Sequence, residues 1–160
     1  MKRRVYIETS VVSYLASRAS RDVVSAGRQQ LTHSWWETRR PVFDLVISEV
    51  VLKEVRAGDP GAAGRRMEFV VDLPLLDITD EATELAALLI EQVPLPPPAA
   101  VDAAHIAVAA YHGVDFLLTW NLAHIANAAL RRRVEEVYRA QRYQVPILCT
   151  PDELMENDHE

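Results

Sequence analysis

A chain of 160 residues, 49% hydrophobic and 25% charged, has the balance of a globular domain and excludes a disordered segment. Its single cysteine, Cys149, excludes a disulfide framework or a cysteine metal site within one chain, and no apolar run approaches the roughly 18–20 residues that span a bilayer. A net charge of −6 argues against a basic sheath for nonspecific nucleic-acid binding, yet leaves room for a nuclease whose acids recruit a cation that then meets phosphate. Met1-Lys2-Arg3-Arg4 is followed by only a short apolar stretch before Glu8, so a signal peptide is not expected and the predicted location is cytoplasmic.

Arg4-Val5-Tyr6-Ile7 is β-branched and aromatic and predicts a first strand over 3–8. Thr9 or Ser10 is expected to cap a short helix over 11–16. A second helix is predicted over 20–40, capped by Ser20 with Asp22 in its first turn, and stopped by Pro41. A strand over 42–47 leads to Ser48, which caps a helix carrying Val50, Val51, Leu52, Glu54 and Val55 as far as Gly58-Asp59-Pro60. A helix over 61–71, a strand over 74–78 and a helix from the cap Asp80 to Gln92 follow.

The proline run of Val93-Pro94-Leu95-Pro96-Pro97-Pro98 predicts a stiff connector inside one domain. Pro98 to Ala110 is an almost wholly apolar helix with Asp102 in its first turn and Gly113 as its stop, and Phe116 to Thr119 is a buried strand with Asn121 just beyond it. A helix over 123–141, a strand over 145–149 and a final helical turn from Thr150 complete the pattern. The domain is expected to run over 1–152, with a mobile tail over 153–160. Strands alternating with helices predict an α/β three-layer sandwich with a mostly parallel sheet. Ligands of such sheets sit beyond the carboxyl ends of the strands, where strand order reverses.

Glu8, Glu54 and Asp102 are candidates for one cluster of hard oxygen ligands suited to Mg²⁺ or Mn²⁺. Asn121 adds a neutral oxygen or orients a water, and Thr119 offers a hydroxyl to a carboxylate or a phosphate. Each has an ordinary reading too: an acid beside a helix cap, a solvated helix acid with Glu49 as its rival, a turn asparagine. His105 is read as a partly buried packing residue, Trp35 and Trp36 as core or dimer contacts, Arg131-Arg132-Arg133 as a solvated face, and Cys149 as inert. Gly61-Ala62-Ala63-Gly64-Arg65-Arg66 lacks the Lys-Ser/Thr end of a phosphate loop, so no nucleotide cofactor is expected.

Four pieces in order resemble a PIN domain, and within that superfamily a VapC-like toxin of bacterial toxin–antitoxin pairs. They are Val5-Tyr6-Ile7-Glu8-Thr9-Ser10, Ser48 through Glu54, Val101-Asp102-Ala103-Ala104-His105-Ile106-Ala107 and Phe116-Leu117-Leu118-Thr119-Trp120-Asn121. The resemblance implies a five-stranded sheet of order 3-2-1-4-5, a Mg²⁺- or Mn²⁺-dependent ribonuclease, a homodimer and an antitoxin partner, with no membrane role. By position it implies that Glu8, Glu54 and Asp102 hold the metal, that Asn121 joins them as the fourth site residue, and that Thr9, Ser10 and Thr119 bind phosphate or support the acids. The chain departs from the family pattern at Glu8, where Asp is usual, and at Asn121, where an acid is usual. Those departures set up the alternatives: a degenerate PIN domain that binds RNA or a protein without cleaving, or a variant site in which His124 or Asn127 supplies a base or phosphate contact. An unrelated doubly wound domain, such as a phosphatase or receiver, would show a different strand order.

Overall fold

The computed structural model describes residues 1–93, 99–123 and 127–155. Five strands form one all-parallel sheet: β1 (Arg4–Ile7), β2 (Asp44–Ser48), β3 (Leu75–Leu76), β4 (Phe116–Leu118) and β5 (Ile147–Cys149), in the order β3-β2-β1-β4-β5. This is the expected 3-2-1-4-5 order. The helices between them are α1 (Thr9–Ala16), α2 (Val23–Thr38), α3 (Glu49–Val55), α4 (Pro60–Val70), α5 (Asp80–Gln92), α6 (Ala100–Tyr111) and α7 (Ala128–Ala140).

Successive strand side chains point to opposite faces, so a strand buried at every position must be covered on both. Val5, Tyr6 and Ile7 of β1 are all fully buried, as are Leu117 and Leu118 of β4. Two groups of helices provide that cover: α1 packs with α2, α3 and α4, while α5 packs with α6 and α7. In α6 the small residues Ala103, Ala107, Ala109 and Ala110 are buried beside Ile106 and Val108, which lets this helix lie close against α5 and α3. Trp35 stacks on Phe43 at 6.0 Å between ring centres, and Phe43 meets Phe116 edge-on. Both tryptophans of α2 therefore belong to the core, with Trp36 against Phe69.

Several boundaries differ from the sequence expectation. Glu8 itself, rather than Thr9 or Ser10, caps α1: its backbone is extended and its carboxylate accepts from Ser10 N at 3.0 Å. Asp22 caps α2 in place of Ser20, whose hydroxyl instead accepts from Asp22 N and shapes the approach. Thr79, not Asp80, caps α5 by accepting from Ala82 N, which leaves Asp80 in the first turn where the helix dipole favours it. The strand expected from Val42 starts at Asp44, because Arg40–Val42 forms a 3-10 turn in which Pro41 fixes its φ and has no N–H for a ladder. Pro146 likewise delays β5 to Ile147. The helix expected from Ala123 starts at Ala128, with the Asn127 side chain accepting from Ala129 N and Leu130 N. Gly113, at φ 65°, ends α6 as expected.

Residues 94–98 of the expected connector and His124 lie outside the described residues, as do residues 156–160 of the expected tail. Leu154 and Met155 pack against the core, and Glu153 accepts from Thr150 N. No helix among the described residues is long and apolar enough to cross a membrane.

The register sets the site. Ile7 lies opposite Leu118, so the chain leaves β1 and β4 side by side, with Glu8 N donating to Leu118 O at 3.1 Å. The order runs outward from β1 through β2 to β3 on one side and through β4 to β5 on the other. The crevice between those two directions opens at the carboxyl ends of β1 and β4, where Glu8 and Thr119 stand.

Candidate metal centre

Four separate segments meet at that edge. Glu8 follows β1, Glu54 comes from the last turn of α3, Asp102 from the first turn of α6, and Asn121 from the loop after β4. Two sets of hydrogen bonds hold them: one joins Glu8, Asn121 and Asp102 through Thr119, and the other holds Glu54 through Thr9 and His105. Glu8 Oε2 accepts from Ser10 N at 3.0 Å, from the Ser10 hydroxyl, and from the Thr119 hydroxyl at 2.8 Å. The Thr119 oxygen accepts from Asn121 N at 2.9 Å, and Asn121 Nδ2 donates to Asp102 Oδ1 at 3.0 Å. On the other side of Glu8, the Thr9 hydroxyl donates to Glu54 Oε1 at 2.7 Å. Ser10 also accepts from Trp120 N at 2.8 Å, which pins the β4 loop to the start of α1.

Burial is uneven. Glu8 is 5% exposed and Asp102 9%, whereas the Glu54 side chain is 36% exposed and forms the open side of the cluster. Burial pushes the Glu8 carboxyl above its usual range; the charge that His105 carries when protonated and the hydrogen bonds from Ser10 and Thr119 oppose this without cancelling it. At Glu54 burial also acts upward, but the hydrogen bonds from His105 and from the Thr9 hydroxyl oppose it, and that carboxyl is held below its usual range.

The hydroxyls of Thr9, Ser10 and Thr119 all donate to carboxylates, and Thr119 is fully buried. Glu49, the rival of Glu54, faces away and pairs with Arg56 at 3.6 Å. His105 is not the partly buried packing residue expected. It is fully buried, with Nε2 2.6 Å from Glu54 Oε1 and Nδ1 2.6 Å from the Tyr6 hydroxyl. Tyr6 in turn meets Ser48 Oγ at 2.7 Å. The signal for His105 was its spacing: three residues after Asp102 on a helix puts both on one face. Tyr6, two residues before Glu8, was hidden by its strong strand propensity.

Among the described residues, one carboxylate oxygen each of Glu8 and Glu54 and one ring nitrogen of His105 lie within 4.8 Å of one another. Both ring nitrogens are already hydrogen-bonded. Glu8 Oε1 and Glu54 Oε2, in contrast, accept no hydrogen bond from the described residues. A pair of buried or half-buried carboxylates, each with one oxygen secured and one open, is a donor set that fits a hard divalent cation.

Comparison with solved structures gives the fold. The chain matches a structure of VapBC2 from Rickettsia felis, solved bound to a DNA fragment from their promoter, with a TM-score of 0.58 and 13% identity over 92% of this chain and 98% of that one. It matches VapC20 of Mycobacterium tuberculosis, a toxin that cleaves the sarcin–ricin loop, with a TM-score of 0.60 and 18% identity over 78% of this chain and 95% of that one. The chain has the VapC fold. No protein-family model matches the sequence, and no curated protein does. The PIN-like resemblance carried by four short pieces of sequence is thus matched by the whole topology, and the strand order sets aside the unrelated doubly wound alternatives.

Proposed function

We propose that this chain is a metal-dependent endoribonuclease of the VapC kind, a single domain over 1–152 whose Glu8, Glu54 and Asp102 hold Mg²⁺ or Mn²⁺ with Asn121 completing the site. The observation that carries this reading is the convergence of these four residues, from four separate segments, at the carboxyl edge of a VapC-like sheet, where hydrogen bonds tie Glu8, Asn121 and Asp102 together and a Glu54 oxygen lies within 4.8 Å of one of Glu8. A divalent cation there would lower the pKa of a water and offset charge on the scissile phosphate. It would also set positive charge beside the Glu8 carboxyl, whose pKa burial raises.

The chain's own groups prepare that site. Thr119 and Ser10 orient the Glu8 carboxylate, Thr9 orients Glu54, and the Asn121 amide fixes one oxygen of Asp102. With three acids at the site, an RNA phosphate would be repelled unless a cation were bound first. The likeness to VapC20 supports RNA as substrate, and the likeness to VapBC2 supports a cognate antitoxin as partner; a second copy of the chain is the further partner that the PIN-domain resemblance implies.

One observation favours a second reading. Asn121, where an acid would be usual, donates to Asp102 and so takes a place a cation would compete for. A domain that binds RNA or a protein without cleaving it would tolerate that arrangement. The experiment is incubation of single-stranded and hairpin RNA with the purified chain and with Asp102→Asn, in Mg²⁺, Mn²⁺ or chelator. Cleavage that needs the metal and is lost in Asp102→Asn supports the nuclease. RNA binding without cleavage, unchanged in Asp102→Asn, supports the second reading.

A further inference from the structure

Behind the acids lies a polar chain in a position where the core would otherwise be apolar. It runs from Val50 N through Ser48 Oγ at 3.3 Å, to the Tyr6 hydroxyl at 2.7 Å, to His105 Nδ1 at 2.6 Å, and from His105 Nε2 to Glu54 Oε1 at 2.6 Å. Ser48, Tyr6 and His105 are all fully buried, so every proton in the chain needs a partner inside the protein.

The two ends fix the direction. Val50 N–H can only donate, and a Glu54 carboxylate can only accept, so Nε2 carries a proton. In the arrangement that pairs every proton, Nδ1 accepts from the Tyr6 hydroxyl and the Tyr6 oxygen accepts from Ser48, so that each group gives one proton and receives one. Burial also raises the Tyr6 pKa, which keeps its hydroxyl proton in place as a donor.

We propose that His105 is a positioning residue and not a metal ligand: the Ser48–Tyr6 chain occupies Nδ1 and aims Nε2 at Glu54, where together with Thr9 it takes up Oε1 and leaves Oε2 alone to meet a divalent cation. The proposal rests on the metal-centre reading above and adds to it which oxygen of Glu54 binds and what holds it there. Supporting groups of this kind set the orientation and basicity of a ligand, and their loss weakens metal binding without removing a ligand.

The test uses the full chain with Mn²⁺ as probe and has three parts. His105→Leu removes the donor to Glu54, whereas His105→Gln puts an amide nitrogen near the place of Nε2 and keeps it. Calorimetry should show Mn²⁺ affinity about 10–100-fold weaker in His105→Leu and within a few-fold of wild type in His105→Gln. Tyr6→Phe, which keeps the ring and removes only the donor to Nδ1, should weaken Mn²⁺ binding about tenfold and serves if His105→Leu does not fold. Pulsed EPR of the Mn²⁺-loaded wild type should show no coupling to a coordinated imidazole nitrogen. Nitrogen-15 NMR of the metal-free protein should show the Nε2–H tautomer. A nitrogen coupling, a Nδ1–H tautomer, or Mn²⁺ affinity unchanged in both His105→Leu and Tyr6→Phe would overturn the proposal while leaving the metal centre intact. A wild type that takes up no Mn²⁺ would overturn the metal-centre reading, and this one with it.

Discussion

Thr119→Val is the substitution that most cleanly reads the wiring of the acid cluster. Valine is close to threonine in volume but sets a methyl in place of the hydroxyl, so the fully buried site keeps its bulk and loses both hydrogen bonds of that oxygen. That oxygen donates to Glu8 Oε2 at 2.8 Å and accepts from Asn121 N at 2.9 Å. A hydrogen bond to an ionised group contributes about 1.5–3 kcal/mol, and one between neutral groups about 0.5–1.5 kcal/mol. The loss of stability should therefore depend on the charge of Glu8. Thr119 favours the ionised carboxylate, so its removal raises the Glu8 pKa further above the usual range. Between the wild-type and variant values the folded variant binds more protons than the folded wild type, and its stability falls relative to wild type as pH rises. Urea unfolding of both proteins over a series of pH values rising from the ordinary glutamate range measures this. The loss should be about 1–3 kcal/mol at the acid end, where both lost bonds join neutral groups, and grow by about 1–1.5 kcal/mol at the alkaline end. A loss that is flat with pH, or below about 0.5 kcal/mol throughout, would refute the placement of Thr119 on the Glu8 carboxylate.

Three further outcomes follow from the same structure. Because burial raises the pKa of Glu8, the wild type should lose stability as pH climbs from the ordinary glutamate range towards the folded value, and Glu8→Gln should remove that fall while abolishing Mn²⁺ uptake; a variant whose urea midpoint declines with pH as steeply as wild type would contradict the shift. Leu117→Ala, at a fully buried position of β4, should cost about 3–5 kcal/mol and lower Tm by about 6–20 °C in a thermal scan, and a drop of only a degree or two would place Leu117 outside the core. The buried Cys149 thiol, its pKa pushed up to about 12 by burial, should resist a disulfide reagent in the folded protein and react fully in denaturant; rapid labelling of the native chain would contradict its burial.

The sheet was legible because β1 and β4 are short apolar runs separated by amphipathic helices, and such runs buried on both faces belong to parallel sheets. The cluster was legible at Asp102 and Glu8 because each interrupts an apolar segment. What sequence hid was which group takes a helix end. At α1 three polar residues in a row, Glu8, Thr9 and Ser10, compete for one cap, and the winner is set by where the chain turns out of β1, a tertiary fact. The same holds at Thr79 and Asp80, and at Ser20 and Asp22. His105 was hidden for a different reason. Alanine and isoleucine surround it, so the ring reads as packing until Tyr6 and Glu54, distant in sequence, are seen to take both its nitrogens. Glu54 was legible as a candidate acid, but the partners that hold its Oε1, Thr9 and His105, were not.

The measurement that bears most directly on the account is calorimetric titration of Mn²⁺ into the wild type, Glu54→Gln and Asp102→Asn, without nucleic acid. The account predicts one site in the wild type and binding lost or greatly weakened in both variants. Mn²⁺ binding that is the same in all three proteins, or absent from the wild type, would contradict it.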